Sequence, residues 1–161
     1  MRKYHVMIAA AVVAIDHFTK WLVVRNIALN NSVQVIPGIF SLTHGQNPGA
    51  AFNLFANSPS PWKLAMLILF SVAALAVVSA LLWKKGNSMS TNAIALSLVF
   101  GGALGNLWDR VANGRVIDFL DFYVGSHHWP AFNVADSAIV IGALLLLSEI
   151  FLAPQKEKTI S

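Results

Sequence analysis

Charged residues are scarce in this sequence, and cysteine is absent from it. Only 11% of the 161 residues are charged, whereas a soluble domain carries about a quarter. The lack of cysteine excludes disulfides, a thiol nucleophile and thiolate metal sites. Because 57% of the residues are hydrophobic and the mean hydropathy is +0.64, we expect most of the chain to be surrounded by lipid or protein rather than by water. We expect a single integral membrane domain over residues 1–161.

Two kinds of binding site are also missing from the sequence. The net charge of +4 comes from few residues, and no basic patch alternates with aromatic residues as nucleic-acid binding would require. His17 and His44 lack a third metal ligand at a recognisable spacing, and His127 and His128 beside Trp129 suit an interfacial loop. We therefore expect no nucleic-acid partner, no metal and no other cofactor.

Four apolar segments predict four transmembrane helices. They cover about residues 4–24, 62–83, 91–107 and 134–151. A helix that spans a bilayer needs about 20 residues, and the second segment fits best, with tryptophan at both ends as interfacial anchors. The first segment follows a basic N-terminus as a signal peptide does, but no small-residue cleavage site follows it, so we expect an uncleaved membrane helix.

The basic residues predict the orientation of the chain. With four spans, three basic pairs fall on one face, which is then cytoplasmic: Arg2 and Lys3, Lys84 and Lys85, Lys156 and Lys158. The segments 26–61 and 108–132 lie on the opposite, outer face. In the first of these, apolar and polar residues alternate on both sides of Pro37-Gly38, which predicts a small antiparallel β hairpin.

Asp118 and Asp136 are the strongest candidates for chemistry. They lie on the two sides of a polar, aromatic loop on the outer face, between the third and fourth apolar segments. Two adjacent carboxyl groups do not easily both ionise, so they share a proton and their pKa values separate. One can then take a proton from water while the other donates a proton to a peptide group. The pair predicts amide hydrolysis without a metal.

Each aspartate also has a purely structural explanation. Asn133-Val134-Ala135-Asp136 resembles a helix N-cap with an acid at its third position, and this role is compatible with catalysis. Asp118 could instead pair with Arg115 or Arg110 at the surface. We expect Asp121 to be solvated.

Three other patterns concern the helices. Asp16 and Lys20 have the i,i+4 spacing of an ion pair on one helical face. Gly101 and Gly105 form a small-xxx-small pair, which either lets helices pack closely or leaves room for a lipid or peptide. A serine–lysine peptidase built from Ser137 and Lys20 is disfavoured, because a lysine base needs a lowered pKa and Asp16 would raise it.

Several ordered motifs resemble one family, the bacterial lipoprotein signal peptidases, also called signal peptidase II. The first motif has His17 where the family pattern has glutamine. The motifs are Asp16-His17-Phe18-Thr19-Lys20, Asn47-Pro48-Gly49-Ala50-Ala51-Phe52, Gly101-Gly102-Ala103-Leu104-Gly105-Asn106 with Asp109-Arg110, Val116-Ile117-Asp118-Phe119, and Phe132-Asn133-Val134-Ala135-Asp136-Ser137.

The resemblance implies an aspartic endopeptidase of the bacterial inner membrane, with a four-helix bundle and a small periplasmic sheet. Its substrate would be a diacylglyceryl-modified prolipoprotein, cut just before the lipid-modified cysteine, and globomycin would inhibit it. Asp118 and Asp136 fall on the catalytic positions. Eight further residues fall on positions that line or support the site: Asp16, Lys20, Asn47, Gly49, Gly102, Asn106, Arg110 and Asn133.

The residues alone are also compatible with two other functions. A small proton-coupled transporter or channel subunit could use the outer carboxylates as a relay, although such proteins place ionisable residues near the bilayer centre. A membrane scaffold could bind a partner through the outer hairpin, with the aspartates idle.

Overall fold

The computed structural model describes residues 3–49, 62–86 and 89–152. Arg2, Lys156, Lys158, the Ala50-Ala51-Phe52 part of the second motif and residues 57–61 lie outside these ranges. The elements, in chain order, are α1 (Lys3–Asn26), β1 (Ser32–Ile36), β2 (Phe40–Asn47), α2 (Trp62–Lys85), α3 (Thr91–Asn113), β3 (Val116–Val124), β4 (His127–His128) and α4 (Val134–Leu152).

Helix α3 is the centre of the bundle and packs against the other three helices. Its glycines make this possible, because a Cβ on Gly101 would lie 2.9 Å from the carbonyl oxygen of Ala9 in α1, and one on Gly102 would overlap the carbonyl oxygen of Ala135 in α4. Of the two explanations for the small residues at Gly101 and Gly105, close helix packing is therefore the one found.

Helix α3 ends at Asn113 rather than near Leu107, where the apolar segment ends. Gly114 stops it in the left-handed conformation (φ 70°), and its N–H donates to the carbonyl of Arg110. Asp109 and Arg110 therefore lie inside the helix and do not close it. The polar residues in its last turns do not break the helix, since neighbouring elements supply partners for their side chains.

The predicted hairpin is present as β1 and β2, within a four-stranded antiparallel sheet of order β1-β2-β3-β4. Strand β3 corrects the interpretation of this region as a loop: Leu120 pairs with Leu42 of β2, and Asp118 pairs with Gly45. Asp118 and Asp121 obscured the alternation of apolar and polar residues that would have predicted this strand. The interfacial loop expected at His127 and His128 is likewise corrected, because these two residues form strand β4 and pair with Val124 and Tyr123 of β3.

A small apolar cluster fastens the sheet to the end of α1. Phe119 of β3 packs against Val23 of α1 and against Ile27, which directly follows that helix, with Leu42, Leu120 and Val134 around them. Burial of such side chains contributes about 1.5–3 kcal/mol each. The cluster holds β3, and with it Asp118, against the helical bundle.

Three described helices are long and apolar enough to cross a membrane: α1, α2, and α4 over Val134–Phe151. Helix α3 is not among them, because its glycine, asparagine, Asp109 and Arg110 lower its hydropathy. Helix α2 buries only Val78 and Leu82, so nearly all of its surface is available to lipid.

We predict that Gly102→Ala lowers stability by about 1–3 kcal/mol, because the added methyl group forces α3 and α4 apart at Ala135. Thermal unfolding in detergent measures the change. Val111→Ala, on the exposed face of the same helix, is the matched control and should unfold near the temperature of the unchanged protein. Equal unfolding temperatures for both variants would contradict the close approach.

Candidate active site

Asp118 lies in β3, with its side chain buried against the helices. Its two carboxylate oxygens accept hydrogen bonds from different asparagines. Nδ2 of Asn133 donates to Oδ1 at 2.8 Å, and Nδ2 of Asn47 donates to Oδ2 at 3.0 Å. Asn47 is fixed in turn, because its Oδ1 accepts the N–H of Gly49 at 2.8 Å. The end of β2 therefore orients the carboxyl group of Asp118.

Asp136 lies in the first turn of α4 and forms a reciprocal cap with Asn133. The N–H of Asp136 donates to Oδ1 of Asn133 at 2.9 Å, while the N–H of Asn133 donates to Oδ2 of Asp136 at 3.2 Å. The predicted capping role is thus confirmed. The remaining oxygen, Oδ1, accepts from Nδ2 of Asn106 at 2.7 Å. Capping and the bond from α3 together fix the direction of this carboxyl group.

Asn133 joins the two aspartates. Its side-chain amide donates to Asp118, its backbone N–H donates to Asp136, and its side chain is fully buried. Neither Arg110 nor Arg115 is a hydrogen-bonded partner of Asp118: Arg115 donates to Gln46 at 2.9 Å. The expectation that Asp121 is solvated is wrong: its side chain is only 13% exposed and accepts a bond from the exposed ring of His128 at 2.9 Å.

Burial raises the pKa of Asp118 to about 7, and the nearby charge of Asp136 adds to the effect. The bonds from Asn47 and Asn133 and the charge of Lys20 act in the opposite direction, but burial outweighs them. A carboxyl group with this pKa can hold a proton at neutral pH and give it up to a substrate.

Both aspartates face one cavity of about 590 Å³. One side is polar, and the rest is apolar. Its lining consists of Asn47, Asn106, Arg110, Val116, Asp118, Trp129, Pro130, Ala131, Phe132, Asp136, Ser137, Ile139, Val140 and Ile141. The site thus combines two carboxyl groups with an apolar surface that continues along α4.

Arg110 places a cation at this cavity. Its Nη1 and Nη2 donate to the carbonyls of Asn106 and Gly49, each at 3.4 Å. Its Nε is buried and has no hydrogen-bond partner within the described ranges. A bound polar group could accept that bond, because an unpaired buried donor is costly.

A cluster of charged and polar side chains adjoins Asp118 and Asp136, the two aspartates that we call the dyad. We call it the Lys20 cluster, and it consists of Asp16, Lys20, Asn106 and Asp109. The predicted pair of Lys20 with Asp16 is confirmed at 2.7 Å and is fully buried. Sequence reasoning missed the second carboxylate, that of Asp109, which lies 2.8 Å from the same ammonium group. Asp109 lies one turn after Asn106 on α3, and this spacing could have indicated that the two share a face.

A serine–lysine arrangement is absent from the part of the chain that the structure describes. The ammonium group of Lys20 donates to Asp16 and Asn106 and contacts Asp109, whereas the hydroxyl of Ser137 donates to the carbonyl of Asn133 at 2.9 Å. Among the described residues, no three histidine or acidic side chains form a group that could hold a metal ion.

Comparison with known proteins shows the family to which this chain belongs. The family model described as "Signal peptidase (SPase) II" matches residues 8–152. The lipoprotein signal peptidase of Solibacter usitatus is 43% identical over 93% of this chain and 91% of its own length. That of Geobacter sulfurreducens is 49% identical over 82% of this chain and 81% of its own.

Solved structures are similar as well. A bacterial membrane enzyme determined by the in meso method at 2.3 Å resolution superposes with a TM-score of 0.83 at 29% identity, covering 98% of this chain and 94% of that one. A second, determined by the same method at 1.9 Å resolution, gives a TM-score of 0.80 at 30% identity over 93% of this chain and 94% of that one. The resemblance found in the sequence motifs is confirmed, and the chain belongs to the signal peptidase II family.

Proposed function

We propose that this protein removes signal peptides from diacylglyceryl-modified prolipoproteins, with Asp118 and Asp136 activating the water that cleaves the bond just before the lipid-modified cysteine. Membership of the signal peptidase II family makes the protein a membrane aspartic protease that acts on prolipoproteins. The single observation behind the proposed dyad is that Asn133 bonds to both carboxyl groups at one cavity.

The different surroundings of Asp136 and Asp118 suggest which aspartate acts as the base and which as the acid. Asp136 receives a backbone N–H at a helix start, where the helix dipole favours the ionised form, so it acts as the base. It takes a proton from water as the water oxygen bonds to the scissile carbon, and Asp118 gives its proton to the carbonyl oxygen. The product of this step is a neutral tetrahedral diol.

Collapse of the diol completes the cycle. Asp136 returns its proton to the leaving nitrogen, the carbon–nitrogen bond breaks, and a hydroxyl of the diol gives its proton to Asp118. One water is consumed, one carboxylic acid and one amine are formed, and both aspartates regain their first protonation states. No metal or other cofactor is required by this scheme.

The rest of the cavity suits a lipid-anchored peptide. Val140 and Ile141 of α4 and Trp129 extend an apolar surface away from the aspartates. Acyl chains held there would fix the depth of the scissile bond, and this remote binding energy would orient the bond at the dyad. Arg110 would contribute a hydrogen bond through its Nε to a polar group of the substrate.

The contacts of α3 support four transmembrane spans. Gly101 lies against Ala9, Gly105 against Asp16 and Asp109 against Lys20, so α3 runs in the same direction as α1 where the two helices pack. A helix of 23 residues is about 34 Å long, enough to cross the hydrocarbon. With Lys84 and Lys85 on the cytoplasmic side, both termini are cytoplasmic and the sheet and dyad lie at the periplasmic face of the inner membrane.

This arrangement disfavours a proton-coupled transporter. The aspartates of the cavity and of the Lys20 cluster gather where α1 and α3 approach the sheet and where α4 begins, whereas Glu149, the other described carboxylate of the helices, lies near the opposite end of α4. A relay across the membrane needs ionisable groups along its length.

We predict that Asp118→Asn and Asp136→Asn each lower the cleavage rate by about 1,000-fold or more, because each removes a group that transfers a proton. Cleavage of a diacylglyceryl-modified prolipoprotein by purified protein is the measurement. Asp121→Asn, on the same strand but bonded to His128 at the surface, is the matched control and should keep its rate. Full activity in either dyad variant would exclude the proposed chemistry.

The pH dependence of cleavage tests the assignment of the acid. Because the pKa of Asp118 is raised to about 7, the proton is present below that pH and is lost above it. We expect kcat to fall about tenfold per pH unit on the alkaline side. A rate that stays level to about pH 9 would assign the acid to another group.

Globomycin should bind at the same cavity and inhibit the enzyme. We expect it to raise the unfolding temperature of the purified protein and to compete with the lipidated substrate, as a ligand that binds only the folded state must stabilise it. Inhibition that excess substrate does not relieve would place the inhibitor elsewhere.

A further inference from the structure

Lys20 belongs to a buried group of charges that the proposed proton transfers do not use. Its Nζ lies 2.7 Å from Oδ2 of Asp16, 2.8 Å from Oδ2 of Asp109 and 3.2 Å from Oδ1 of Asn106. One ammonium group thus meets two carboxylates on two helices. Burial of such a group is costly and is a weak source of stability, so its presence behind the dyad calls for another explanation.

Asp16 and Asp109 also accept hydrogen bonds from backbone N–H groups next to the two aspartates of the cavity, and these bonds explain the presence of the cluster. Oδ1 of Asp16 accepts the backbone N–H of Ala135 at 2.9 Å. Oδ2 of Asp109 accepts the backbone N–H of Ile117 through a longer contact of 3.5 Å. Ala135 directly precedes Asp136, and Ile117 directly precedes Asp118. Each carboxylate bound to Lys20 therefore holds the peptide group next to one member of the dyad.

Asn106 forms a third connection. Its Oδ1 accepts from Lys20 and from Nδ2 of Asn133 at 3.3 Å, so its Nδ2 is left to donate to Asp136. The ammonium group thereby fixes which end of this amide faces Asp136.

We propose that Lys20, together with Asp16 and Asp109, is a positioning device that sets the placement of Asp118 relative to Asp136. This inference rests on the proposed function. The two aspartates come from different elements, a strand and a helix start, which the Lys20 cluster ties to α1 and α3. Lys20 does not line the cavity and acts through the backbone next to the dyad.

The test separates positioning from folding and from substrate binding. Lys20→Met removes the ammonium group at similar length, and we expect kcat to fall about 100-fold, as a displacement on the order of 1 Å would cause. KM should stay within about twofold, because the cavity that binds substrate is unchanged. Steady-state cleavage of a diacylglyceryl-modified prolipoprotein gives both constants.

Asp109→Asn keeps the inference testable if Lys20→Met does not fold. It leaves Lys20 paired one to one with Asp16, so no buried carboxylate loses its partner. We expect it to unfold at a temperature equal to or above that of the unchanged protein, with kcat about 10-fold lower and KM unchanged. A purely structural cluster would leave kcat intact in this variant.

Glu149→Gln is the matched control. It changes another polar contact between α3 and α4, that of Asn92 with Glu149, at the far end of the helices from the dyad, and it should keep kcat. Wild-type kcat in Asp109→Asn, or a rise of KM at constant kcat, would overturn the inference. If Asp118→Asn and Asp136→Asn also cleave, the proposed function has failed; if they are inactive, only the positioning role has.

Discussion

The two hydrogen bonds from Asn133, one to each aspartate, are the interaction on which the rest of the site depends. Asn133 is the N-cap of α4, so its backbone position is set by the helix and its amide by the cap. A single residue therefore fixes the position of Asp118 in β3 relative to Asp136 in α4. The other partners of the aspartates, Asn47 and Asn106, come from β2 and α3 and complete a shell of amide donors. Amides can donate to carboxylates without adding a charge that would fix their protonation state.

A polar shell of this kind needs a rigid apolar support, and the bundle provides one. The glycines of α3 allow α1 and α4 to approach its backbone closely, so the polar groups of the Lys20 cluster reach partners on α1, α3 and the start of α4. Nearly every oxygen and nitrogen of the Lys20 cluster is bonded within the protein, which matters most where lipid offers no alternative partner. The sheet adds to this support, because Phe119 of β3 and its apolar neighbours pack against the end of the first helix.

Local features of this fold could be predicted from the sequence, whereas contacts between distant segments could not. Hydropathy located all four helices, and the spacing of Asn133 and Asp136 predicted the cap that forms. Strand β3 was missed because its two aspartates suggested a loop and its pairing partner β2 is far away in the chain. Asp109 was missed as a partner of Lys20 for the same reason: helical periodicity places a residue on a face but does not say which helix that face meets. The end of α3 was set by Gly114, which hydropathy does not register.

The bond from Asp16 in the first helix to the N–H of Ala135 at the start of the last helix has a consequence for biosynthesis. A ribosome makes α1 long before α4, and both Asn133 and Asp136 lie at the start of α4. Until α4 enters the bilayer, the first helix lacks this partner and the dyad lacks one of its two acids. Under the proposed function, a chain that has not yet inserted α4 therefore cannot cleave its neighbours in the membrane.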